Sequence, residues 1–317
     1  MNTIEQAARR LEQLRRAGVP VAVAAETEPL PPAETSPHPE QPAVRTEQST
    51  PAVSARKADR LEEDTDSRPF ADAAGRRSRE VSLDLQRMQR AGLLVPGQPR
   101  SQLEEEFRII KRPLLENVRN EGPMRPNRAN LIMVTSAQAG EGKTQTALNL
   151  ATSIAMELDH TVLLVEADVL RPSALARIGV QTSKGLLDLL ESPSTKLPDV
   201  LLKTNIPKLT LLPAGTASSR STELLASDAM DHLLEELATK YTDRIVIFDT
   251  PPLLSTTESR VLASHMGQVV MVSEANRTPV DMIKRAYATI ENHPLVLGVL
   301  NKYHGPKGST AYGYYAP

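Results

Sequence analysis

Apolar residues after position 130 occur in short uninterrupted runs, separated by longer stretches with helical spacing. The runs have the length and composition of buried strands, and they lie at 131–135, 161–165, 209–212, 244–248, 268–272 and 296–300. Hydrophobic positions spaced as in helices separate most of them, at 143–157, 222–240, 258–265 and 279–292. Apolar strands that alternate with helices are typical of a mostly parallel sheet covered on both faces. The pattern therefore predicts an α/β fold.

The N-terminal region differs in composition from the rest of the chain. Residues 1–18 carry apolar residues at helical spacing, which predicts a short amphipathic helix. Such a helix would dock on a partner or on the chain's own domain, or lie on a membrane surface. Residues 19–79 are rich in proline and lack hydrophobic periodicity, so they are expected to form a disordered linker.

Residues 80–128 regain a helical pattern and are expected to form a helical segment for docking or oligomerisation. Ser101 and Glu104 fit a capping box, in which the serine caps the helix and the glutamate reaches back. Pro113 is expected to kink or end that helix, because proline lacks the N–H that an interior helical position uses.

Composition excludes several classes of function. The chain has 317 residues with 37 Lys and Arg against 39 Asp and Glu, so we expect no nucleic-acid partner. The absence of cysteine excludes a disulfide scaffold, an iron–sulfur cluster and a thiol nucleophile. No apolar run approaches about 18 residues and the N-terminus lacks the apolar centre of a signal peptide. A cytoplasmic protein without a transmembrane segment is therefore expected.

The first apolar run leads into the sequence SAQAGEGKT at 136–144, and a helical pattern follows at once. This matches a phosphate-binding loop, whose N–H groups point inward at the phosphates while Lys143 adds a full charge and Thr144 binds Mg²⁺. The alternative is a glycine turn, which would not require Lys and Thr directly after the last glycine. The predicted ATP-binding residues of this loop are Ala139, Gly140, Glu141, Gly142, Lys143, Thr144 and Gln145.

Two of the apolar runs end in acidic residues, Glu166 with Asp168 after one and Asp249 after the other. Ligands of open parallel sheets bind beyond the carboxyl ends of the strands, so these acids are expected to face the phosphate loop. Asp249 is interpreted as a Walker B residue, and Asp168 or Glu166 as a second metal contact or a base. The alternative is that they only cap the following helices. The predicted catalytic residues are Lys143, Glu166, Asp168 and Asp249, and the predicted metal ligands are Thr144, Asp168 and Asp249.

These motifs resemble those of the bacterial tyrosine kinases, the P-loop autokinases of polysaccharide export. The family's phosphate loop and its two acidic motifs have counterparts at 136–144, 162–172 and 245–254. The similarity extends over about residues 100–317 and is greatest to the exosortase-associated tyrosine autokinases, a stand-alone cytoplasmic form. It implies a P-loop NTPase-like kinase domain at 129–302, ATP and Mg²⁺ as cofactors, and autophosphorylation that regulates exopolysaccharide synthesis and export.

The segment before the sheet resembles the family's oligomerisation motif, with Glu105, Arg108 and Lys111 at its three charged places. The resemblance implies a homo-oligomeric ring and a membrane partner, a polysaccharide co-polymerase or chain-length determinant protein, that recruits the chain to the inner face of the membrane. The chain departs from the family pattern in three places. Glu166 replaces an Asp, Lys111 replaces an Arg, and Arg171 lies one position later than usual.

Two other classes of function remain open. ATPase switches that partition chromosomes or place the septum carry a second lysine five residues before the loop lysine, where this chain has Gln138. A scaffold that binds ATP without phosphorylating tyrosine is the third class. Asn301, at the end of the last apolar run, matches a position that often contacts the adenine in this fold. It is equally well interpreted as a turn-forming residue after a strand.

The C-terminal residues 303–317 are expected to form a flexible tail, because Gly, Ser and Pro surround the aromatic residues there. Such a tail either docks on a partner or is phosphorylated, and the kinase motifs favour phosphorylation in the active site of a neighbouring copy. The predicted phosphorylation sites are Tyr303, Tyr312, Tyr314 and Tyr315.

Overall fold

The computed structural model describes residues 79–122, 125–181, 184–240 and 243–304, which contain one eight-stranded sheet. The strand order across the sheet is β1-β4-β5-β3-β6-β2-β7-β8. The strands are β1 (Arg79–Val81), β2 (Leu131–Ser136), β3 (Thr161–Glu166), β4 (Leu202–Thr204), β5 (Leu209–Leu212), β6 (Arg244–Asp249), β7 (Gln268–Glu274) and β8 (Val296–Asn301). All neighbours pair in parallel except β4 and β5, so the predicted mostly parallel sheet is confirmed.

The central strands are buried on both faces, because side chains alternate along a strand. In β2, Leu131 and Met133 belong to one hydrophobic core, whereas Ile132 and Val134 belong to the core on the opposite face. Both faces therefore need a helical cover, which explains why these strands are apolar throughout.

Helices cover the two faces of the sheet. They are α1 (Leu85–Arg90), α2 (Gln102–Arg119), α3 (Lys143–Ala155), α4 (Ala174–Arg177), α5 (Leu186–Glu191), α6 (Leu197–Val200), α7 (Ser221–Leu225), α8 (Asp228–Thr239), α9 (Glu258–His265) and α10 (Val280–Ala288). The helical pattern at 222–240 corresponds to two helices, because the helical conformation is interrupted between α7 and α8. Ser227 causes this break, because its side chain caps α8 by accepting a hydrogen bond from the Met230 N–H.

Helix α2 runs through Pro113 rather than ending there, so the expectation that this proline ends the helix is wrong. The Ser101 hydroxyl caps the helix as expected by accepting from the Glu104 N–H, while the Glu104 carboxylate accepts from Arg108. Phe107 and Leu114 are buried on the face of α2 that packs on the core. Tertiary packing on both sides of the proline therefore holds the helix together despite the lost hydrogen bond.

The segment before α2 is part of the folded domain. Strand β1 begins at Arg79, the last residue of the expected linker, and it extends the edge of the sheet by pairing with β4. The Leu94 N–H donates to Asn149 on α3 at 2.8 Å. The segment at 80–128 thus contributes a strand as well as helices. The helix expected at 1–18 and the linker before residue 79 lie outside the described residues.

None of the helices in the described ranges combines the length and the apolar character that a membrane crossing requires.

Candidate active site

The loop between β2 and α3 has the backbone of an anion-binding nest. Gly140 and Gly142 adopt φ angles of 91° and 100°, a region that residues with a Cβ atom rarely occupy. Gly142 is the N-cap of α3, so the positive end of the helix dipole also points toward the loop.

A side chain at Gly142 is unfavourable, because the φ angle is 100° and a Cβ atom would displace the Asn301 side-chain amide from the loop. We expect Gly142→Ala to weaken ATP binding by at least about tenfold, since the backbone must leave its positive φ and the loop amides lose their direction. Isothermal titration with ATP measures the effect. Gly97→Ala is the control, because Gly97 also has a positive φ but a Cβ atom added there would meet no atom of the described residues within 4 Å. Equal loss in both variants would contradict this account.

The side chain of Glu141 stabilises the loop and does not face a phosphate. It is buried, and its carboxylate accepts one hydrogen bond from the Gln138 N–H at 2.7 Å and another from the Thr278 hydroxyl. The Glu141 carboxylate is therefore engaged within the protein, and its role in ATP binding stays a prediction that concerns its backbone N–H. Thr278 lies 137 residues away in the sequence, so local reasoning had no signal for it.

Lys143, Thr144, Asp168 and Asp249 are brought together at the carboxyl ends of β2, β3 and β6, and all four are buried. Lys143 Nζ lies 2.7 Å from Asp168 Oδ2 and 3.9 Å from Asp249 Oδ1. The Thr144 hydroxyl donates to Asp249 Oδ1 at 3.2 Å. One buried ammonium therefore lies between two buried carboxylates, next to the nest of loop amides.

Of the two carboxylates, Asp249 is the less well compensated by hydrogen bonds and charges. Its residue is completely buried, and its Oδ2 atom has no hydrogen-bond partner among the described residues. Burial raises the pKa of Asp249 to about 6, although Lys143 and Thr144 pull it down. An unsatisfied buried carboxylate oxygen of this kind is suited to bind a cation or a water in a cation's shell.

The acidic side chains alone do not form a metal site. Within the four described ranges, no group of three or more His, Cys, Asp or Glu side chains could hold a metal ion. Mg²⁺ commonly binds through one or two carboxylates together with waters and substrate phosphates, and Thr144, Asp168 and Asp249 fit that mode of binding.

Glu166 was expected to act as a base or as a metal contact, and its carboxylate accepts hydrogen bonds from the backbone. Its Oε1 accepts from the Leu175 N–H at 3.1 Å, and its Oε2 accepts from the Ala214 N–H at 3.4 Å. Both oxygens of this buried carboxylate therefore hold backbone segments beside β3. The longer side chain that replaces the family's Asp is positioned to support the site, and Asp168 is left as the acid next to Lys143.

The side chains of two other residues predicted to bind ATP have hydrogen-bond partners within the chain. Gln145 donates its side-chain amide to the carbonyls of Ala91 and Gly92, which connects α3 to the segment before α2. Asn301 donates to the Glu141 carbonyl at 2.8 Å, while its Oδ1 accepts from the Lys302 N–H. The Asn301 side chain thus stabilises the phosphate loop, a role that differs from the two interpretations of the sequence.

The three residues of the predicted oligomerisation motif have partners within the chain. Arg108 pairs with Glu105 at 3.0 Å and with Glu104 at 3.1 Å. Lys111 is buried, pairs with Glu157 at 2.6 Å and donates to the Ser153 carbonyl. The structure therefore differs from the expectation for Lys111, whose ammonium attaches α2 to α3 instead of facing a neighbouring copy.

Among the predicted phosphorylation sites, Tyr303 lies in the described residues directly after β8 and is 58% exposed. Tyr312, Tyr314 and Tyr315 lie outside the described residues.

Comparison with known proteins identifies the class of domain that carries the candidate site. A family model described as an AAA domain matches residues 129–293, the region that carries the phosphate loop and both acidic strand ends. The chain therefore contains an ATP-binding P-loop domain.

Individual relatives define the family. Tyrosine-protein kinase YwqD of Bacillus subtilis (strain 168) is 30% identical over 232 residues, which cover 72% of this chain and 92% of that protein. Putative tyrosine-protein kinase CapB of Staphylococcus aureus is 29% identical over 226 residues, covering 70% and 94%. The chain belongs to the bacterial tyrosine-protein kinases. The crystal structure of the chimerical protein CapA2B2 has the same fold, with a TM-score of 0.56, 27% identity and coverage of 66% and 89%.

Proposed function

We propose that this chain is an ATP-dependent protein tyrosine autokinase that phosphorylates its C-terminal tyrosines in trans and regulates exopolysaccharide synthesis and export. The observation that carries the proposal is the buried Lys143 between Asp168 and Asp249 at the end of an anion-binding loop. Membership of the tyrosine-protein kinase family supports the choice of acceptor.

Phosphate binding would require Lys143 to exchange Asp168 for the β- and γ-phosphates, with the loop amides of 139–144 holding the remaining oxygens. The exchange leaves the Asp168 carboxylate next to the reacting group. The tyrosine oxygen then attacks the γ-phosphorus, the bond to the β–γ bridging oxygen breaks, and ADP leaves. Asp168, the carboxylate next to Lys143, accepts the phenolic proton.

Mg²⁺ would be held at Thr144 and Asp249, with Asp168 as a further candidate, and it would neutralise charge on the phosphate oxygens. The unsatisfied Asp249 Oδ2 supports this assignment.

We further propose that the chain assembles as a homo-oligomeric ring and acts with a membrane polysaccharide co-polymerase that recruits it to the inner face of the membrane. Glu105 and Arg108 on α2 carry exposed or half-exposed charges that a neighbouring copy could bind, although they pair with each other within the chain. Phosphates on several tyrosines would add negative charge to the tail and loosen such a ring. The boundaries at 18, 79 and 302 are part of the same proposal, whereas β1, α1 and α2 join the segment at 80–128 to the sheet domain.

Incubation with Mg·ATP followed by intact-mass and peptide analysis tests the proposed activity. We expect phosphate on Tyr312, Tyr314 or Tyr315, and we expect Phe substitution of all three together with Tyr303 to remove nearly all incorporation. Phe at the partly buried Tyr287 is the control, since it lies within the domain. Release of free phosphate without added mass would favour an ATPase switch, and neither product would favour a scaffold that only binds ATP.

A further inference from the structure

Asn301, the last residue of β8, and Lys302, the residue that follows it, hold the phosphate loop from outside. Lys302 Nζ donates to the Gly140 carbonyl at 2.7 Å, and Asn301 Nδ2 donates to the Glu141 carbonyl at 2.8 Å. Gly140 and Glu141 supply consecutive carbonyls of the same loop. Two adjacent residues of one strand end thus bind two adjacent peptide groups of another element.

These contacts determine where the loop N–H groups point. In a planar trans peptide the carbonyl and the following N–H point in opposite directions. A donor that fixes the Gly140 carbonyl outward therefore turns the Glu141 N–H inward, and a donor on the Glu141 carbonyl does the same for the Gly142 N–H. Both N–H groups belong to the stretch 139–144 that forms the anion nest.

Lys302 is itself held in place by several groups. Its Nζ lies 3.0 Å from Glu274 Oε2, and its backbone N–H donates to Asn301 Oδ1 at 2.9 Å. Its φ angle is 56°, a left-handed conformation that is unfavourable for a residue with a Cβ atom. Conformations of this kind persist where the surrounding contacts over-determine them, and they are frequent at functional sites.

We propose that Lys302, held by Glu274 and assisted by Asn301, is a positioning residue that directs the loop amides at the phosphates of the nucleotide. The proposal rests on the proposed function, because it requires the loop to bind phosphate. It also places the residue before the tyrosine tail in direct contact with the phosphate loop. The contacts act on the loop backbone, so the effect concerns the phosphates and not the base.

The test compares the full-length chain with Lys302→Met, which keeps the aliphatic part of the side chain and removes the ammonium. We expect the dissociation constants of ATP and of inorganic tripolyphosphate to rise by the same factor, about tenfold. Hydrogen exchange of the amides at 139–142 should become faster, while the melting temperature changes little because Lys302 lies at the surface.

Arg277→Met is the matched control. Arg277 pairs with the same Glu274 at 3.4 Å, but its side chain is 75% exposed and no contact joins it to the loop among the described residues. The Arg277→Met variant should bind ATP and tripolyphosphate as tightly as the wild type does. Glu274→Gln, which leaves the Lys302 ammonium without its carboxylate, should weaken both ligands in the same direction as Lys302→Met.

The outcomes separate this proposal from the proposed function. A wild-type chain that binds neither ATP nor tripolyphosphate would refute the proposed function, and this inference with it. Normal binding by the wild type, with equal binding by Lys302→Met and Glu274→Gln, would overturn only the positioning role. Loss of ATP binding with tripolyphosphate binding retained would also overturn it, since Lys302 would then act on the nucleoside.

Discussion

Replacement of Lys143 by methionine is expected to lower the rate of phosphate transfer to tyrosine by at least about 10³-fold. The methionine keeps the bulk of the side chain but removes the buried charge that the β- and γ-phosphates would meet. Charge stabilisation in a site shielded from water is worth more than at a surface, so a large loss follows. Quantitative mass spectrometry of tail peptides after incubation with Mg·ATP measures the rate.

The same substitution is expected to destabilise the fold. Asp168 lies 2.7 Å from Lys143 Nζ, and removing one partner of a buried ion pair leaves the other charge uncompensated, at a cost of about 3 kcal/mol. Adding Asp168→Asn to Lys143→Met should restore most of the melting temperature without restoring transfer. Recovery of activity in the double variant would contradict the assignment of Lys143 to the phosphates.

The inner strands could be predicted because burial on both faces imposes one simple pattern. A strand such as β6 must be apolar at every position, and this signal does not depend on its partners. Strands β1 and β4 lack that signal. Each has three residues, and each includes charged or polar side chains that an outer strand tolerates. Pairing with neighbours defines them as strands: β1 pairs with β4, and β4 also pairs with β5.

The placement of the four buried side chains of the candidate site could be predicted for a similar reason. Lys143 and Thr144 lie in a local motif, and Asp168 and Asp249 follow strands whose ends must share one edge of the sheet. The supporting contacts could not be predicted. Thr278 and Lys302 reach the phosphate loop from far along the chain, and their spacing in the sequence carries no trace of that contact.

Glu166 shows that a side chain can be placed from the sequence while its partners cannot. Its position at the end of β3 follows from the pattern, but its role depends on which donors reach it. The N–H groups of Leu175 and Ala214 occupy both of its oxygens, and these residues lie in segments whose path the sequence does not define.

Asp249→Asn is expected to stabilise the nucleotide-free chain while it lowers phosphate transfer by at least about 10²-fold. Asp249 is completely buried with one oxygen unsatisfied, and burial raises its pKa from the ordinary value of 3.8 to about 6. Ionisation of Asp249 at neutral pH therefore costs folding free energy, and a neutral amide of similar shape avoids that cost. The loss of activity follows from the removal of the charge that would hold Mg²⁺.

The size of this effect on stability depends on pH. A raised pKa means that the folded state binds the proton more tightly than the unfolded state, so the contribution of Asp249 to stability is lost as pH rises through about 6. The difference in free energy of unfolding between Asp249→Asn and the wild type should be largest above pH 6, about 3 kcal/mol, and should shrink toward pH 4. Denaturant titrations without metal or nucleotide measure it.

Asp168→Asn provides the opposite control at the same lysine. Asp168 forms the short pair with Lys143, so its replacement leaves a buried ammonium poorly compensated and is expected to lower stability at neutral pH. Two carboxylates that flank one lysine should therefore respond with opposite signs. If both substitutions destabilise the chain above pH 6, the ionised Asp249 carboxylate is not destabilising in the folded state. The argument that Asp249 binds a cation through its unsatisfied oxygen would then fail.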